Sequence, residues 1–171
     1  MNKNAKNKLI IAGLTASAVF FDNLIKYEVF SSKPYLDSGG IATIGIGSTQ
    51  YENGERVKMT DNPITKERAI EIVKNHVKKD EQAFNKSLSG VKLSQAEYDV
   101  YLDFVYNYGQ ATFNKSSIRK ELLKGNYKQA CLNLLKYHYI GKKDCIPRNS
   151  GCFGVWKRQL ERYNTCIGAN Q

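Results

Sequence analysis

Residues 28–47 read Glu28-Val-Phe-Ser-Ser-Lys-Pro-Tyr-Leu-Asp37-Ser-Gly-Gly-Ile-Ala-Thr43-Ile-Gly-Ile-Gly47 and place three polar residues in the order Glu-x8-Asp-x5-Thr. Breaking a glycosidic bond needs two acidic groups with opposite tasks. One stays protonated to give its proton to the leaving oxygen, and the other stays ionised to offset charge or to hold a water. A hydroxyl beside the second carboxylate can complete the hydrogen bonds of that water. The spacing therefore makes Glu28 the candidate general acid, Asp37 the candidate general base or electrostatic stabiliser, and Thr43 the candidate residue that positions the water.

The residues around this stretch predict a helix followed by a small antiparallel sheet. Apolar residues at helical spacing predict a helix from the low twenties to about residue 30, ended by Ser31-Ser32 and Pro34, with Glu28 near its C-terminal end. Between residues 35 and 58, turn signals at Ser38-Gly39-Gly40 and Asn53-Gly54 predict hairpins. Thr43 would then return on the next strand, so that its hydroxyl can approach Asp37 across the hairpin. The apolar residues that define the helix are Phe20, Phe21, Leu24 and Ile25.

The rest of the chain predicts helices. Apolar residues at helical spacing over residues 65–88 predict a long helix that would link the sheet to a helical part. A second helix, at 94–108, begins with the capping-box pattern of Ser94 and Glu97. Shorter helices are predicted at 115–124, 128–137 and 155–163. The predicted class is α+β, mostly helical, with a small antiparallel sheet.

Blocks along most of the chain resemble one family, the phage-type lysozymes, which are the muramidase endolysins of tailed bacteriophages. The triad followed by Thr-Ile-Gly-x-Gly is their signature, and the blocks cover roughly residues 22–166 in the family's order, which is more specific than a single motif. Two positions depart from the family pattern: Ser48 stands where His is common, and Gln159 stands in the usual Arg-Arg pair. The further blocks are Leu93-Ser-Gln-Ala-Glu-Tyr-Asp-Val, Phe104-Val-Tyr-Asn-Tyr-Gly109, Phe113-Asn-Lys-Ser-Ser117, Gly125-Asn-Tyr-Lys-Gln-Ala130 and Gly154-Val-Trp-Lys-Arg-Gln-Leu-Glu-Arg162.

The resemblance implies a lysozyme-like fold, with a small sheet lobe and a helical lobe joined by a long helix and a cleft between them. It implies hydrolysis of the β-1,4 bond between N-acetylmuramic acid and N-acetylglucosamine in peptidoglycan, with the three catalytic roles given above. It also implies that Tyr106, Asn107 and Ser116, which match family blocks, bind the saccharide, although a Tyr at helical spacing is more often a core residue. No metal or nucleotide motif appears in the sequence, and no cofactor is expected.

The charge of the chain bears on its partners. With 26 Lys and Arg against 16 Asp and Glu, the net charge of +10 suggests an anionic partner or surface. Nucleic acid is not expected, because there is no zinc-finger spacing and no RNP-like aromatic strand. Peptidoglycan glycan strands with their peptides, and anionic lipids, remain as candidates, and lysines spread along the chain equally fit a soluble surface. The length of 171 residues suits one domain, expected as a monomer.

The N-terminus has the pattern of an export signal. Lysines precede an uncharged run at residues 9–21, which is too short to be interpreted as a membrane span. Ala16-Ser17-Ala18 would serve as a cleavage site. Among phage endolysins such runs also resemble signal-arrest-release anchors, which enter the inner membrane uncleaved and later leave it. An amphipathic first helix packed on the core is a further alternative, but the run has no charged face.

Export by either route is therefore predicted. The expected organisation is an export segment or anchor at residues 1–21 and a catalytic domain at residues 22–171. The expected location is the host periplasm, with transient contact to the inner membrane through the N-terminus.

The four cysteines all lie beyond residue 130, at Cys131, Cys145, Cys152 and Cys166. They include no Cys-x2-Cys pair, so a zinc site is not expected. An even count in an exported chain favours two disulfides and leaves three connectivities open. The family resemblance places the helices that carry Cys131 and Cys166 side by side, and Cys145 and Cys152 bracket a turn-rich loop. The expected pairs are therefore 131–166 and 145–152.

Two other functions compete with this interpretation. A lytic transglycosylase needs the acid but no residues that hold a water. A cationic protein that disrupts the wall or membrane without catalysis needs none of the three residues. The combination of Glu28, Asp37 and Thr43 argues against both.

Overall fold

Helices dominate the regular structure, and three small antiparallel sheets complete it in the residues that the computed structural model describes, 8–27, 29–37 and 39–171. The helices are α1 (Ala18–Tyr27), α2 (Lys66–Ser87), α3 (Gln95–Tyr108), α4 (Gln110–Lys115), α5 (Ser117–Leu123), α6 (Tyr127–Leu134) and α7 (Phe153–Gly168). The strands are β1 (Leu9–Ile10), β2 (Ser31–Leu36), β3 (Ala42–Gly45), β4 (Lys92–Leu93), β5 (Tyr139–Ile140) and β6 (Lys143–Asp144). The predicted α+β class is confirmed.

The chain folds into two compact units. Of the described residues, 8–15 and 83–171 form the helical unit, and those between 16 and 82 form the sheet unit. Helix α2 contributes residues to both, which agrees with the long linking helix predicted at 65–88.

The sheet unit is built on a hairpin and the first part of α2. Strands β2 and β3 pair antiparallel, with Tyr35 opposite Thr43 and Leu36 opposite Ala42. The apolar residues of α2 in this unit recur at i, i+3, i+4 and i+8, from Ala69 to Val77. That is the spacing of one helix face, and these residues are buried. The buried apolar residues of this unit are Phe20, Leu24, Ile44, Ile46, Val57, Ala69, Ile72, Val73 and Val77.

The helical unit has an aromatic core. The ring of Phe84 lies edge-on to Tyr98 and to Phe113, with centroid distances of 5.4 and 5.3 Å. All three side chains are fully buried, and such edge-to-face pairs add to the free energy gained from burial. Helix α3, which carries Tyr98, begins with the predicted capping box. The Ser94 amide donates to the Glu97 carboxylate at 2.8 Å, and the Glu97 amide donates to the Ser94 hydroxyl oxygen at 3.3 Å. The core thereby fixes α3, the helix that bears Tyr106 and Asn107.

Part of the predicted export segment is built into the helical unit. Strand β1 pairs with β4, Leu9 opposite Leu93, and the amide of Ile11 donates to Val91 O at 3.0 Å. Ile11 and Leu14 are 1% and 4% exposed. In the described residues, no helix combines the length and the apolar character that a membrane crossing requires.

Two boundaries in the first third differ from the predictions. Helix α1 begins at Ala18, inside the predicted export segment, and not in the low twenties. Pro34 does not end a helix but lies within β2, in a part of the strand where the register with β3 is irregular. Proline lacks the N–H that a regular ladder needs, so irregular strand positions are the ones that accept it.

Both predicted cysteine pairs are present as disulfides. Cys131–Cys166 joins α6 to α7, and Cys145–Cys152 closes a loop after β6. The hydroxyl of Tyr101 lies 3.1 Å from the sulfur of Cys166 in the buried centre of the unit. The first disulfide therefore belongs to the core, and the second holds a surface segment.

Candidate active site

The turn between β2 and β3 is fixed by glycine and by backbone hydrogen bonds. The amide of Gly40 donates to Asp37 O at 2.9 Å, and the amide of Asp37 donates to Ile41 O at 3.0 Å. Gly40 has φ of 74°, a conformation that L side chains rarely adopt. Gly40 therefore allows the chain to reverse within a few residues of the carboxylate.

The Asp37 side chain is held on this turn by one of its two oxygens. Its Oδ1 accepts hydrogen bonds from the amides of Gly39 at 2.8 Å and Ile41 at 2.9 Å. In the part of the chain that the structure describes, no hydrogen bond reaches Oδ2. One oxygen thus fixes the orientation of the carboxylate, and the other is available to a water or a substrate.

Thr43 lies on the same face of the hairpin as Asp37. It is opposite Tyr35, and the bond from the Asp37 amide to Ile41 O continues this pairing one residue past the end of β2. Side chains two residues apart in such an extended segment share a face, so Tyr35 and Asp37 do. Its side chain is buried, and its Oγ1 donates to Ile41 O at 3.0 Å. Because the hydroxyl hydrogen is used in this bond, the lone pairs of Oγ1 remain as acceptors. The predicted pair of Asp37 and Thr43 thus shares one hairpin.

Glu28, the predicted general acid, lies outside the described residues. The last residue of α1 is Tyr27, and β2 begins at Ser31. The role of Glu28 as acid stays a prediction.

A second tight turn follows β3. Ile44 and Ser48 exchange two backbone hydrogen bonds of 2.9 and 3.0 Å, and Gly45 and Gly47 both have positive φ. A Cβ on Gly45 would lie 2.8 Å from the Cβ of Ala69, so a side chain there would collide with α2. Ser48 is buried, and its Oγ has no hydrogen-bond partner among the described residues. Its hydroxyl therefore brings an unsatisfied polar group beside the hairpin.

The three predicted saccharide-binding residues belong to the helical unit. Tyr106 is half-buried on α3, and the exposed Asn107 donates its amide to Asp103 O at 2.7 Å. Ser116 caps α5: its Oγ accepts from the Arg119 amide at 3.1 Å and donates to Phe113 O at 2.7 Å. The Ser116 hydroxyl thus has a structural task, and the binding role of all three residues stays a prediction.

An ion cluster at the end of α3 was missed from the sequence. The Asp103 carboxylate accepts from Arg158 at 2.7 Å and from the Nε of Arg162 at 2.6 Å, and it also meets the Asn107 amide at 3.2 Å. Burial lowers the pKa of Arg162, and the charge of Asp103 opposes that shift. The only signal in the sequence was that the two arginines are four residues apart and share a helix face. The cluster holds the Asp103 carboxylate that accepts from Asn107, and it thereby orients the Asn107 side chain.

Gln159, one of the two departures from the family pattern, lies next to this cluster. It is fully buried, and its Nε2 donates to the hydroxyl of Tyr108 at 2.5 Å. Its Oε1 has no partner among the described residues. The glutamine thus replaces a charged group by a neutral one that ties α7 to α3.

The fold and the hairpin define a class, the lysozyme-like glycoside hydrolases, and the comparisons with known proteins agree. The chain is similar to the endolysin of Salmonella phage P22, 34% identical over 110 residues that cover 64% of this chain and 74% of that protein. It is 28% identical to a probable prophage lysozyme of Escherichia coli strain K12 over 166 residues, 95% and 92% of the two chains. The solved endolysin from Escherichia coli O157:H7 phage FAHEc1 superimposes with a TM-score of 0.77 at 25% identity, covering 91% and 94%.

The phage lysozyme family model matches residues 25–152. The chain belongs to the phage lysozyme family. It is therefore a glycoside hydrolase of the muramidase type, a peptidoglycan-lysing endolysin whose substrate lies in the periplasm.

Proposed function

We propose that this chain hydrolyses the β-1,4 bond between N-acetylmuramic acid and N-acetylglucosamine by direct displacement with inversion. The observation that carries the proposal is the placement of Asp37 and Thr43 on one face of one hairpin. An inverting enzyme needs room for a water between its carboxyl groups, which lie about 6.5–9.5 Å apart, whereas a retaining enzyme brings them to about 5–5.5 Å.

The hydrogen bonds of the hairpin suggest how a water would be held. Both the Oδ2 of Asp37 and the Oγ1 of Thr43 are acceptors, because the Thr43 hydrogen goes to Ile41 O. A water bound by both would donate one hydrogen to each and turn a lone pair toward the sugar. As the water attacks, Asp37 takes its proton, while Thr43 keeps the other hydrogen in place. Such a pair serves a hydrolase and has no task in a transglycosylase.

Glu28 completes the proposed mechanism as general acid. It gives its proton to the oxygen of the leaving sugar while the water attacks the opposite face of the ring. Of its apolar neighbours in the chain, Val29 is 84% exposed, whereas Ile25 and Phe30 are half-buried. The last two would supply the apolar surrounding that favours the protonated form of a carboxyl group.

The test of this function compares wild type with Asp37→Asn on purified peptidoglycan. Asparagine keeps an oxygen for the amides of Gly39 and Ile41, so the turn is retained while the base is lost. Loss of a general base lowers the rate by about 10²–10⁴-fold. Asp22→Asn, which changes an exposed carboxylate on α1, is the matched control and should hydrolyse like wild type.

Two readouts distinguish the mechanisms. Wild type should release reducing ends, and NMR recorded before mutarotation should show the α-anomer first. A β-anomer would contradict inversion, and products without reducing ends would indicate a transglycosylase. Equal clearing by wild type and Asp37→Asn would favour a cationic protein that acts without catalysis.

We further infer that the N-terminal segment enters the inner membrane uncleaved and is later taken up by the folded domain. Lys8 supports this inference: its Nζ donates to Glu97 at 2.6 Å and to Asn170 at 2.9 Å, and lies 3.4 Å from the centroid of the Tyr127 ring. Glu97 is fully buried and also accepts from Ser94. Cleavage after Ala18 would remove the cation from a buried carboxylate, together with the buried Ile11 and Leu14.

The contacts of Lys8 with Glu97, Asn170 and Tyr127, called here the clamp, give a stability prediction. Lys8→Met should lower the free energy of unfolding by about 3–5 kcal/mol, since it leaves a buried charge uncompensated. Lys8→Met with Glu97→Gln should lose clearly less, because glutamine is neutral and still suits a capping box. Lys128→Met, at an exposed position of α6, is the control. Urea denaturation measures all four proteins; a loss no larger for Lys8→Met than for the control would show that the clamp is absent.

A further inference from the structure

The segment from His138 to Cys152, called here the stapled hairpin, belongs to the helical unit and is closed by a disulfide at its base. Strands β5 and β6 pair with Tyr139 opposite Asp144, and Gly141, with φ of 58°, helps to reverse the chain between them. At the base, the buried Cys145 is bonded to Cys152, and its amide donates to His138 O at 2.8 Å. The hairpin is therefore held in one conformation at its base.

The hairpin exposes large apolar side chains. Tyr139, Ile140 and Ile146 are 51%, 56% and 40% exposed. The first two are consecutive strand residues and point to opposite sides of the hairpin, so one neighbouring element of the fold cannot cover both. Exposed apolar residues that are grouped and held rigidly mark an interaction surface more often than scattered ones do.

Positive charge surrounds these side chains. Lys142 and Lys143 are exposed, and neither forms an ion pair within the described residues. The only acidic residue of the hairpin is Asp144, which is already paired with His138 at 2.8 Å and accepts from the Ile146 amide at 3.0 Å. The tip therefore offers two free cations and no free anion.

We propose that the stapled hairpin docks on an anionic phospholipid membrane. The hairpin would enter tip first, so that Tyr139 on one side and Ile140 on the other both reach the boundary between headgroups and acyl chains, while Lys142 and Lys143 meet lipid phosphates. An aromatic residue with a polar tip, an aliphatic residue and lysines are the set that binds at membrane interfaces. Peptidoglycan fits less well: its peptides could meet the two lysines, but neither its peptides nor its sugar rings offer an apolar layer for Tyr139 and Ile140.

Vesicle binding tests the proposal on the oxidised full chain. Vesicles of phosphatidylcholine alone are compared with vesicles of phosphatidylcholine and phosphatidylglycerol at about 3:1, the second giving the negative surface. Trp156, the only tryptophan, lies 5.8 Å from the His138 ring and reports on the hairpin by fluorescence. Sedimentation with the vesicles gives the partition coefficient.

Matched double variants distinguish the effect of the hairpin residues on vesicle binding from the effect of net charge. Lys142→Gln/Lys143→Gln should lower the partition coefficient on anionic vesicles by roughly 10- to 30-fold. Lys78→Gln/Lys128→Gln removes the same charge from exposed helix positions and should have a much smaller effect. Tyr139→Ser/Ile140→Ser should weaken binding, while Leu123→Ser/Leu132→Ser, at exposed positions of similar character, should not.

Three results would overturn the proposal. In the first, wild type would show no preference for the anionic vesicles. In the second, the two double lysine variants would lose equally in partition coefficient. In the third, the hairpin variants would bind vesicles like wild type but lose binding to purified peptidoglycan. The last would assign the surface to the wall. Hydrolysis of soluble peptidoglycan fragments by the hairpin variants should equal that of wild type. That assay keeps a failure of the docking surface distinct from a failure of the proposed catalytic function.

Discussion

Glu28→Gln should remove nearly all hydrolysis while the domain stays folded. The change keeps the size of the side chain and deletes the proton that the leaving sugar oxygen needs. General acid catalysis contributes about 10²–10⁴-fold to the rate, so the variant should retain no more than about a hundredth of the wild-type activity. The loss should appear in kcat, because the proton transfer belongs to the transition state and not to substrate binding.

The measurement is the rate of reducing-end release from purified peptidoglycan. Glu55→Gln, at an exposed position of the sheet unit, is the matched control and should keep wild-type activity. Both variants should unfold in urea at the wild-type midpoint. More than about a tenth of the activity in Glu28→Gln would be too much for a lost general acid and would remove Glu28 from that role.

The sequence predicted those parts of the fold that depend on neighbouring residues. The stripe of α2 and the capping box of α3 are local patterns, and both are present. The pairing of Leu9 with Leu93 joins residues far apart in the chain, and two-residue strands leave no periodicity to detect. The prediction for Pro34 was wrong for a related reason. A proline in the sequence commonly ends a helix, and only the pairing with β3, with its irregular register, shows that it lies in a strand.

In the candidate site too, contacts between near neighbours in the chain could be predicted and contacts between distant residues could not. Asp37 and Thr43 could be paired from the sequence because the Gly39-Gly40 turn brings them onto the two arms of one hairpin. Asp103 could not be linked to Arg158 and Arg162, since that contact spans more than fifty residues. The disulfide pairs came from the family resemblance, because four cysteines alone leave three connectivities open.

Charges at Ile10 and Val19 should block export without harming the enzyme. Both side chains lie in the uncharged run of residues 9–21, yet they are 53% and 63% exposed in the folded protein. Glutamate suits both positions in the fold: residue 10 is opposite Lys92, and residue 19 is in the first turn of α1, where a negative charge is favourable. Ile11 and Leu14 would be poor choices, because they are buried and their replacement would also unfold the domain.

In the membrane the same substitutions are unfavourable. They shorten the uncharged run to residues 11–18, whose only large apolar side chains are Ile11 and Leu14, far below the roughly 20 apolar residues of a spanning helix. Ile10→Glu/Val19→Glu should therefore stay in the cytoplasm as active enzyme, and cells that make it without a holin should not lyse. Met59→Glu/Leu132→Glu carries two charges at exposed positions outside the run and should lyse cells like wild type. Lysis by the first variant at wild-type timing would show that the run is ordinary domain structure. The intact mass of the wild-type protein after lysis supplies the complementary test, because a chain beginning after Ala18 would contradict retention of the segment that carries Lys8.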